Sequence, residues 1–187
     1  MSTVEVPRAL TVDEFIDFLD RRGKSGERWE LLGGSPVMMV GGTVGHSLVT
    51  ANVFRALVDI ARRRGCQTHS NDLLVSSPAD QNFAAAPDVF VRCGPIHRNL
   101  RKVSDPILIV EVLSASTMAG DRGYKFTRYV TIPSLQQILF VYPEETRVES
   151  WLRGEPEWLL EVVQDMNAAV RVPPLDDVLP LAAIYAG

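Results

Sequence analysis

Residues 106–113 read Pro-Ile-Leu-Ile-Val-Glu-Val-Leu, and a run this continuously apolar is that of a strand covered on both faces. A strand of that kind lies inside a sheet with further layers on either side, which directs the chain toward a mixed α/β architecture. Glu111 interrupts the run. An ionised carboxylate in such surroundings costs several kcal/mol unless a partner neutralises it. A second carboxylate, Asp88, opens the short apolar run Pro87-Asp88-Val89-Phe90-Val91. Two such positions suggest a shared cation; the plainer alternative is one turn-capping acid and one acid paired to an arginine.

The rest of the pattern agrees with a sheet flanked by helices. Thr11-Val12-Asp13-Glu14 matches a capping box, and Phe15, Ile16, Phe18 and Leu19 follow at helical spacing. Trp29–Leu32 and Pro36–Val40, joined by Gly33-Gly34-Ser35, read as a β-hairpin. Leu48, Val49, Val53, Phe54, Leu57, Ile60 and Ala61 place a long amphipathic helix over Thr43–Arg64, stopped by Gly65. Short strands are expected near 66–69, 72–76, 87–91 and 106–113. A helix is expected over Thr117–Val130, with Thr117 as its cap. A second hairpin pairs Gln137–Tyr142 with Arg147–Leu152, another strand covers Trp158–Val163, and Asp176 caps a short last helix ending near Tyr185. No linker or repeat divides residues 1–187, so one domain is expected, with residues 1–9 as a flexible N-terminal segment.

Composition excludes some classes. No apolar run approaches the roughly 20 residues of a membrane span, and the N-terminus lacks a signal-peptide core, so no membrane association is expected. Cys66 and Cys93 have neither metal-ligand spacing nor a disulfide framework around them, so zinc is not expected and a reducing cytoplasm is the default. The net charge of −4 is unevenly spread: residues 1–130 carry +2 and residues 131–187 carry −6. Residues 92–128 hold seven basic side chains against three acidic ones, so Glu111 lies in the most basic part of the chain. That suits a phosphate-bearing substrate, although scattered arginines more often only solvate a surface.

With 16 arginines and three lysines, arginine is the habitual cation, which singles out Lys125. An ammonium is a compact donor able to orient a water, a task a guanidinium does poorly. Lys125 follows Glu111 by 14 residues, close enough to fold back toward it; the alternative is a surface pair with Asp121 one helical turn earlier. On the first reading, Lys125→Ala is expected to leave the melting temperature nearly unchanged. Glu30 lies within the apolar strand Trp29-Glu30-Leu31-Leu32. Facing inward it would be an oxygen ligand or a water-positioning base, facing outward merely solvated, and strand alternation does not decide. His46 shares a helical stripe with Val49 and Val53, where a lone histidine is more often a hydrogen-bonded core residue than a ligand. Gly41-Gly42-Thr43-Val44-Gly45 lacks the lysine of a P-loop, and Ser114-Ala115-Ser116 lacks the glycines of a nucleophile elbow.

Taken in order, these residues resemble the PD-(D/E)XK nuclease superfamily, and more narrowly the Uma-two family of restriction-endonuclease-like domains. The resemblance runs from Leu10 to Tyr185. It is carried by Thr11-Val12-Asp13-Glu14-Phe15, Trp29-Glu30-Leu31-Leu32-Gly33-Gly34, His46, Pro87-Asp88-Val89, Val110–Thr117, and Lys125 with Tyr129. It implies a central four-stranded mixed sheet flanked by helices with extra hairpins. It also implies a metal-dependent endonuclease: Asp88, Glu111 and the Val112 carbonyl as ligands of Mg²⁺ or Mn²⁺, Lys125 as catalytic lysine, and Glu30 and His46 as accessory residues. Arg122 and Arg128 are candidates for contacts to the nucleic-acid backbone, DNA being the expected substrate. A homodimer would suit symmetric duplex cleavage. Two departures stand out. Leu113 occupies the slot where the simple motif has its lysine, and Gly33-Gly34-Ser35 replaces an Asp-Gly-Glu turn frequent in the family, removing two acids. The rival readings are a nuclease-like scaffold that binds nucleic acid or a protein without cleaving, and a hydrolase of small phosphoesters.

Overall fold

Thr11 caps the first helix as its capping box requires. Its hydroxyl accepts from the Glu14 N–H, and the Glu14 carboxylate accepts from the Thr11 N–H at 2.9 Å, opening α1 (Val12–Arg22). The structure, a computed structural model, describes residues 8–23, 27–39, 41–113 and 121–187, the side chain of Asp121 excepted. The expected flexible segment therefore falls outside the described residues, save Arg8 and Ala9.

The first hairpin joins β1 (Arg28–Leu32) to β2 (Ser35–Met39) through a turn of two residues, since Leu32 pairs with Ser35. Gly33 and Gly34 have φ of +60° and +79°, the left-handed pair of a type I′ turn that glycine adopts without a Cβ penalty. The long helix is α2 (Val44–Arg63), capped by Thr43. Strands β3 (Gln67–Ser70), β4 (Leu74–Ser77), β5 (Asp80–Ala85), β6 (Val89–Arg92), β7 (Lys102–Val103) and β8 (Pro106–Val112) follow. A π-helical turn (Asp121–Lys125) runs into the short α3 (Phe126–Tyr129). The chain continues through β9 (Gln137–Tyr142), β10 (Arg147–Leu152), β11 (Leu159–Val163), β12 (Ala169–Val172), β13 (Asp177–Pro180) and α4 (Leu181–Ile184).

These strands make a six-stranded mixed sheet, β11-β10-β9-β8-β6-β3, a five-stranded sheet, β2-β1-β5-β4-β7, and the pair β12-β13. The resemblance implied four central strands; here the larger sheet has six, with β8 and β9 parallel at its centre. Strand β8 is covered on both faces, as its sequence demands. Leu108, Val110 and Val112 join the core that α2 closes, while Ile109 joins Leu113 in a second core with Phe83, Tyr129 and Phe140. A third core packs α1 against the five-stranded sheet through Val12, Phe15, Leu31 and Ala84. The layers are therefore α2, six-stranded sheet, five-stranded sheet and α1.

Two expectations need correction. Cys66 and Cys93 form a disulfide. Antiparallel β3 and β6 pair Gln67 with Arg92, and one further step of that register sets the two cysteines opposite each other. Free thiols can no longer support a cytoplasmic location; among the described residues, no helix is long and apolar enough to cross a membrane. Asp176 does not cap the last helix: it closes the 3₁₀ turn Pro173–Leu175 at φ +49°, and β13 intervenes before α4 begins after Pro180. Of the helix expected over Thr117–Val130, residues 117–120, including the Thr117 cap, lie outside the described residues, as does Val40 of the first hairpin.

Gly34 ties this hairpin to its surroundings: its carbonyl accepts from Leu10 N–H at 2.8 Å and its N–H donates to Asn82 O at 2.9 Å. A Cβ there would lie 2.9 Å from the Ala9 Cα, on a residue already at positive φ. Gly34→Ala is expected to cost about 1–3 kcal/mol, lowering the melting temperature by roughly 3–10 °C for a chain of this size. An unchanged melting curve would show that the turn relaxes freely.

Candidate active site

Antiparallel β6 and β8 pair Val89 with Val110 and Phe90 with Ile109, so one further step sets Asp88 opposite Glu111. Facing residues of adjacent strands share a sheet face. Glu111 points to the second core because it alternates with Val110 and Val112, which point to the first. Both acids are buried, Asp88 7% and Glu111 4% exposed. Asp88 and Glu111 line one cavity of about 580 Å³ together with His46, Val112 and Lys125.

The π-helical turn supplies the lysine. Lys125 is 2% exposed, and its ammonium lies 2.9 Å from Glu30 Oε1 and 3.4 Å from Glu111 Oε1. It is not a solvated surface group; the Asp121 side chain lies outside the described residues. Glu30, undecided by alternation, faces inward at 4% exposure, and its Oε1 also accepts from the Ala86 N–H at 2.9 Å. Removing one member of a buried ion pair typically costs about 3–5 kcal/mol, so the expectation that Lys125→Ala is neutral for stability is revised.

Other contacts fix the acids. The Tyr129 hydroxyl donates to Glu111 Oε1 at 2.6 Å, and the Val112 N–H donates to Asp88 Oδ2 at 2.8 Å. His46 Nε2 lies 3.3 Å from the same Asp88 oxygen. A Cβ on Gly42 would stand 2.8 Å from His46 Nδ1, so the glycine loop before α2 leaves room for the imidazole.

Electrostatics follow from this packing. Burial pushes the Glu111 carboxyl up to about 8, with the charges of Asp88 and Glu30 adding and Lys125 and Tyr129 opposing. Hydrogen bonding to Asp88 raises the His46 pKa, helped by the Asp88 charge, the Val112 backbone and Glu111, against partial burial. Among the described residues, and with His46 neutral, three ionised buried carboxylates face one lysine ammonium, leaving a net charge of −2. A divalent cation matches that deficit, and the donors offered are carboxylate and carbonyl oxygens, which suit a hard ion. Among the described residues no three His, Cys, Asp or Glu side chains converge as a ready metal cluster.

Asp88, Glu111, Lys125, Glu30, His46 and Val112 are thus brought together, whereas Arg122 and Arg128 are engaged elsewhere. Arg122 forks onto the buried Glu149 at 3.0 and 3.1 Å. Arg128 meets Asp80 at 3.4 Å and lies over the Tyr124 ring. Neither lines the cavity. Tyr129, singled out in the sequence without a role, and Arg28, not singled out at all, belong to the site; the spacing of Tyr129 four residues after Lys125, one helical turn, was the available signal.

A family model, Uma2, described as "Putative restriction endonuclease", matches residues 12–183. The chain belongs to the Uma2 family. The uncharacterized protein slr1290 of Synechocystis sp. is 30% identical over 153 residues, covering 81% of this chain and 78% of its relative. The uncharacterized protein sll1609 of the same organism is 29% identical over 174 residues, covering 91% and 96%. In fold, the chain is similar to a crystal structure titled as a "putative nuclease belonging to DUF820" from Anabaena variabilis. The TM-score is 0.71 at 16% identity, over 95% of this chain and 98% of that one. This Uma2 chain has a nuclease-like mixed α+β fold.

Glu111 and His46 both hold protons more tightly when folded than unfolded. Such a contribution is complete below the unfolded pKa and is lost as pH rises through the folded one. For Glu111 the window runs from 4.5 to about 8, and for His46 upward from 6.5. With metal chelated, stability is expected to fall on the order of a few kcal/mol across that range, and Glu111→Gln should flatten the decline. Parallel curves of melting temperature against pH for the two proteins would contradict the assignment.

Proposed function

We propose that this Uma2 protein is a metal-dependent phosphodiester hydrolase, an endonuclease acting on DNA, with its chemistry in the Asp88–Glu111–Lys125 cavity. One observation carries the reading: a buried lysine fixed by two carboxylates beside a third, with a net charge of −2 among the described residues when His46 is neutral.

Asp88, Glu111 and the Val112 carbonyl would hold Mg²⁺ or Mn²⁺. Tyr129 and Lys125 take Glu111 Oε1, so Oε2 is the oxygen Glu111 offers; Val112 N–H and His46 take Asp88 Oδ2, so Oδ1 is its counterpart. When bound, the ion would lower the pKa of a coordinated water and offset charge on the scissile phosphate. Lys125 is a fixed positive charge at the cavity wall, placed to orient the attacking water and to stabilise charge developing on phosphate oxygens. Glu30, itself anchored by the Ala86 N–H, positions the lysine. His46 steadies Asp88 through the contact of its Nε2 with Oδ2 at 3.3 Å.

Millimolar Mn²⁺ is expected to raise the melting temperature of the wild type but not of the Asp88→Asn, Glu111→Gln double variant. At 100 times Kd the gain is about 2.7 kcal/mol, or roughly 5–10 °C. Because filling the site displaces protons from Glu111 and His46, the shift should grow between pH 6 and 8. DNA cleavage should require the metal and be lost in Lys125→Met. Equal metal responses in both proteins, with no cleavage, would move the function to a non-catalytic nucleic-acid- or protein-binding module.

A further inference from the structure

We propose that Arg28 is a substrate-positioning residue that grips a phosphate next to the scissile one, so that the substrate is a polynucleotide strand and not a small phosphoester. This rests on the nuclease reading above and deepens it. The catalytic cavity of about 580 Å³ adjoins a second of about 380 Å³, and Arg28 and Asn71 line both. Because they share those two wall residues, we take the two spaces as one trough with Arg28 at their junction. Each lies in the size range of ligand-binding pockets.

Strand β1 aims Arg28 there. It lies two residues before Glu30, and residues so spaced share a face of the strand, about 7 Å apart along it. Glu30 holds Lys125 at the reaction centre, so Arg28 reaches the position one step along the trough. Its charge is uncommitted: among the described residues its side chain makes no ion pair or hydrogen bond, although the residue is half-buried. The other cations lining the trough are engaged. Arg22 pairs with Glu27 at 2.8 Å and lies over the Trp29 ring, Arg101 pairs with Asp20, and Lys125 bridges its two carboxylates. A partly desolvated guanidinium lacking a carboxylate, beside a cavity built for phosphodiester chemistry, is the donor fork that matches phosphate. A small phosphoester occupying the reaction centre alone would not reach it. This assigns to Arg28 the backbone contact expected of Arg122 and Arg128, whose guanidinium groups hold Glu149 and Asp80.

The test compares the wild type with Arg28→Gln and Arg28→Lys, on a single-stranded oligodeoxynucleotide and on bis(p-nitrophenyl) phosphate, which carries one phosphate. With Mn²⁺, Arg28→Gln should raise KM for the oligonucleotide about tenfold, at least several times its effect on the small diester, with Arg28→Lys recovering part of the loss. With Ca²⁺ in place of Mn²⁺, binding of the labelled oligonucleotide should show a salt slope, log K against log salt, that is shallower by about 0.7 in Arg28→Gln, one phosphate contact fewer. Equal losses on both substrates with an unchanged salt slope would overturn the assignment, as would a fall in melting temperature that accounts for the whole effect. A wild type inactive on both substrates would instead overturn the nuclease reading on which the assignment rests.

Discussion

The Lys125 ammonium, held between Glu30 and Glu111, is the contact on which the site depends. Its three participants come from different layers: Glu30 from the five-stranded sheet, Glu111 from the six-stranded sheet, and Lys125 from the π-helical turn before α3. Apolar packing brings those layers together but is indifferent to small slides between them. A buried ion pair is directional and costly to break, so it fixes the register in which the layers meet. Tyr129 strengthens this from the next helical turn, buried in the second core while its hydroxyl holds Glu111. The wider spacing of a π turn at Asp121–Lys125 is a local irregularity of the kind that recurs at functional sites.

What the sequence disclosed, and what it hid, follows from how local each signal is. Glu111 and Asp88 were legible because a carboxylate in an apolar strand contradicts its neighbours, and the contradiction is visible within a few residues. The capping box of α1, the long α2 and the Gln137–Leu152 hairpin were legible for the same reason: each is specified by its own segment. The direction of Glu30 was not, because β1 carries Leu31 and Leu32 in succession and is covered on both faces: Leu31 is buried in the α1 core, Glu30 beside Lys125. The Cys66–Cys93 pairing depends on a register between strands 27 residues apart in sequence. Strands β5, β12 and β13 were missed because short segments with Ala, Pro, Asn or Asp carry little intrinsic strand signal and are held by their partners. Arg28 resembled every other arginine in an arginine-rich chain; its lack of a counter-ion is a property of the fold.

The hairpin turn shows how a departure from the family pattern is absorbed. With Gly33-Gly34 in place of an acidic turn, no carboxylate is added to a neighbourhood already short of positive charge. A Cβ on Gly33 would stand 3.2 Å from the Tyr124 hydroxyl, so the glycine also lets Tyr124, the residue before Lys125, pack tightly against the turn. Gly33 thus makes room for the residue before the lysine, while Glu30 holds the lysine itself from the same hairpin.

These pieces combine into a single electrostatic argument. Without a metal, burial first and then the charges of Asp88 and Glu30 push Glu111 up to about 8, and hydrogen bonding to Asp88 raises His46, so protons meet the deficit. A divalent ion would satisfy the same deficit, so proton and metal compete for one arrangement of oxygens, and filling the site is coupled to deprotonation. Lys125 cannot be displaced in that exchange, because Glu30 alone would retain it at 2.9 Å. The cluster therefore divides its labour: Glu30 and Lys125 are the pair that joins the layers, while Glu111 and His46 are the part whose protons a bound cation would displace.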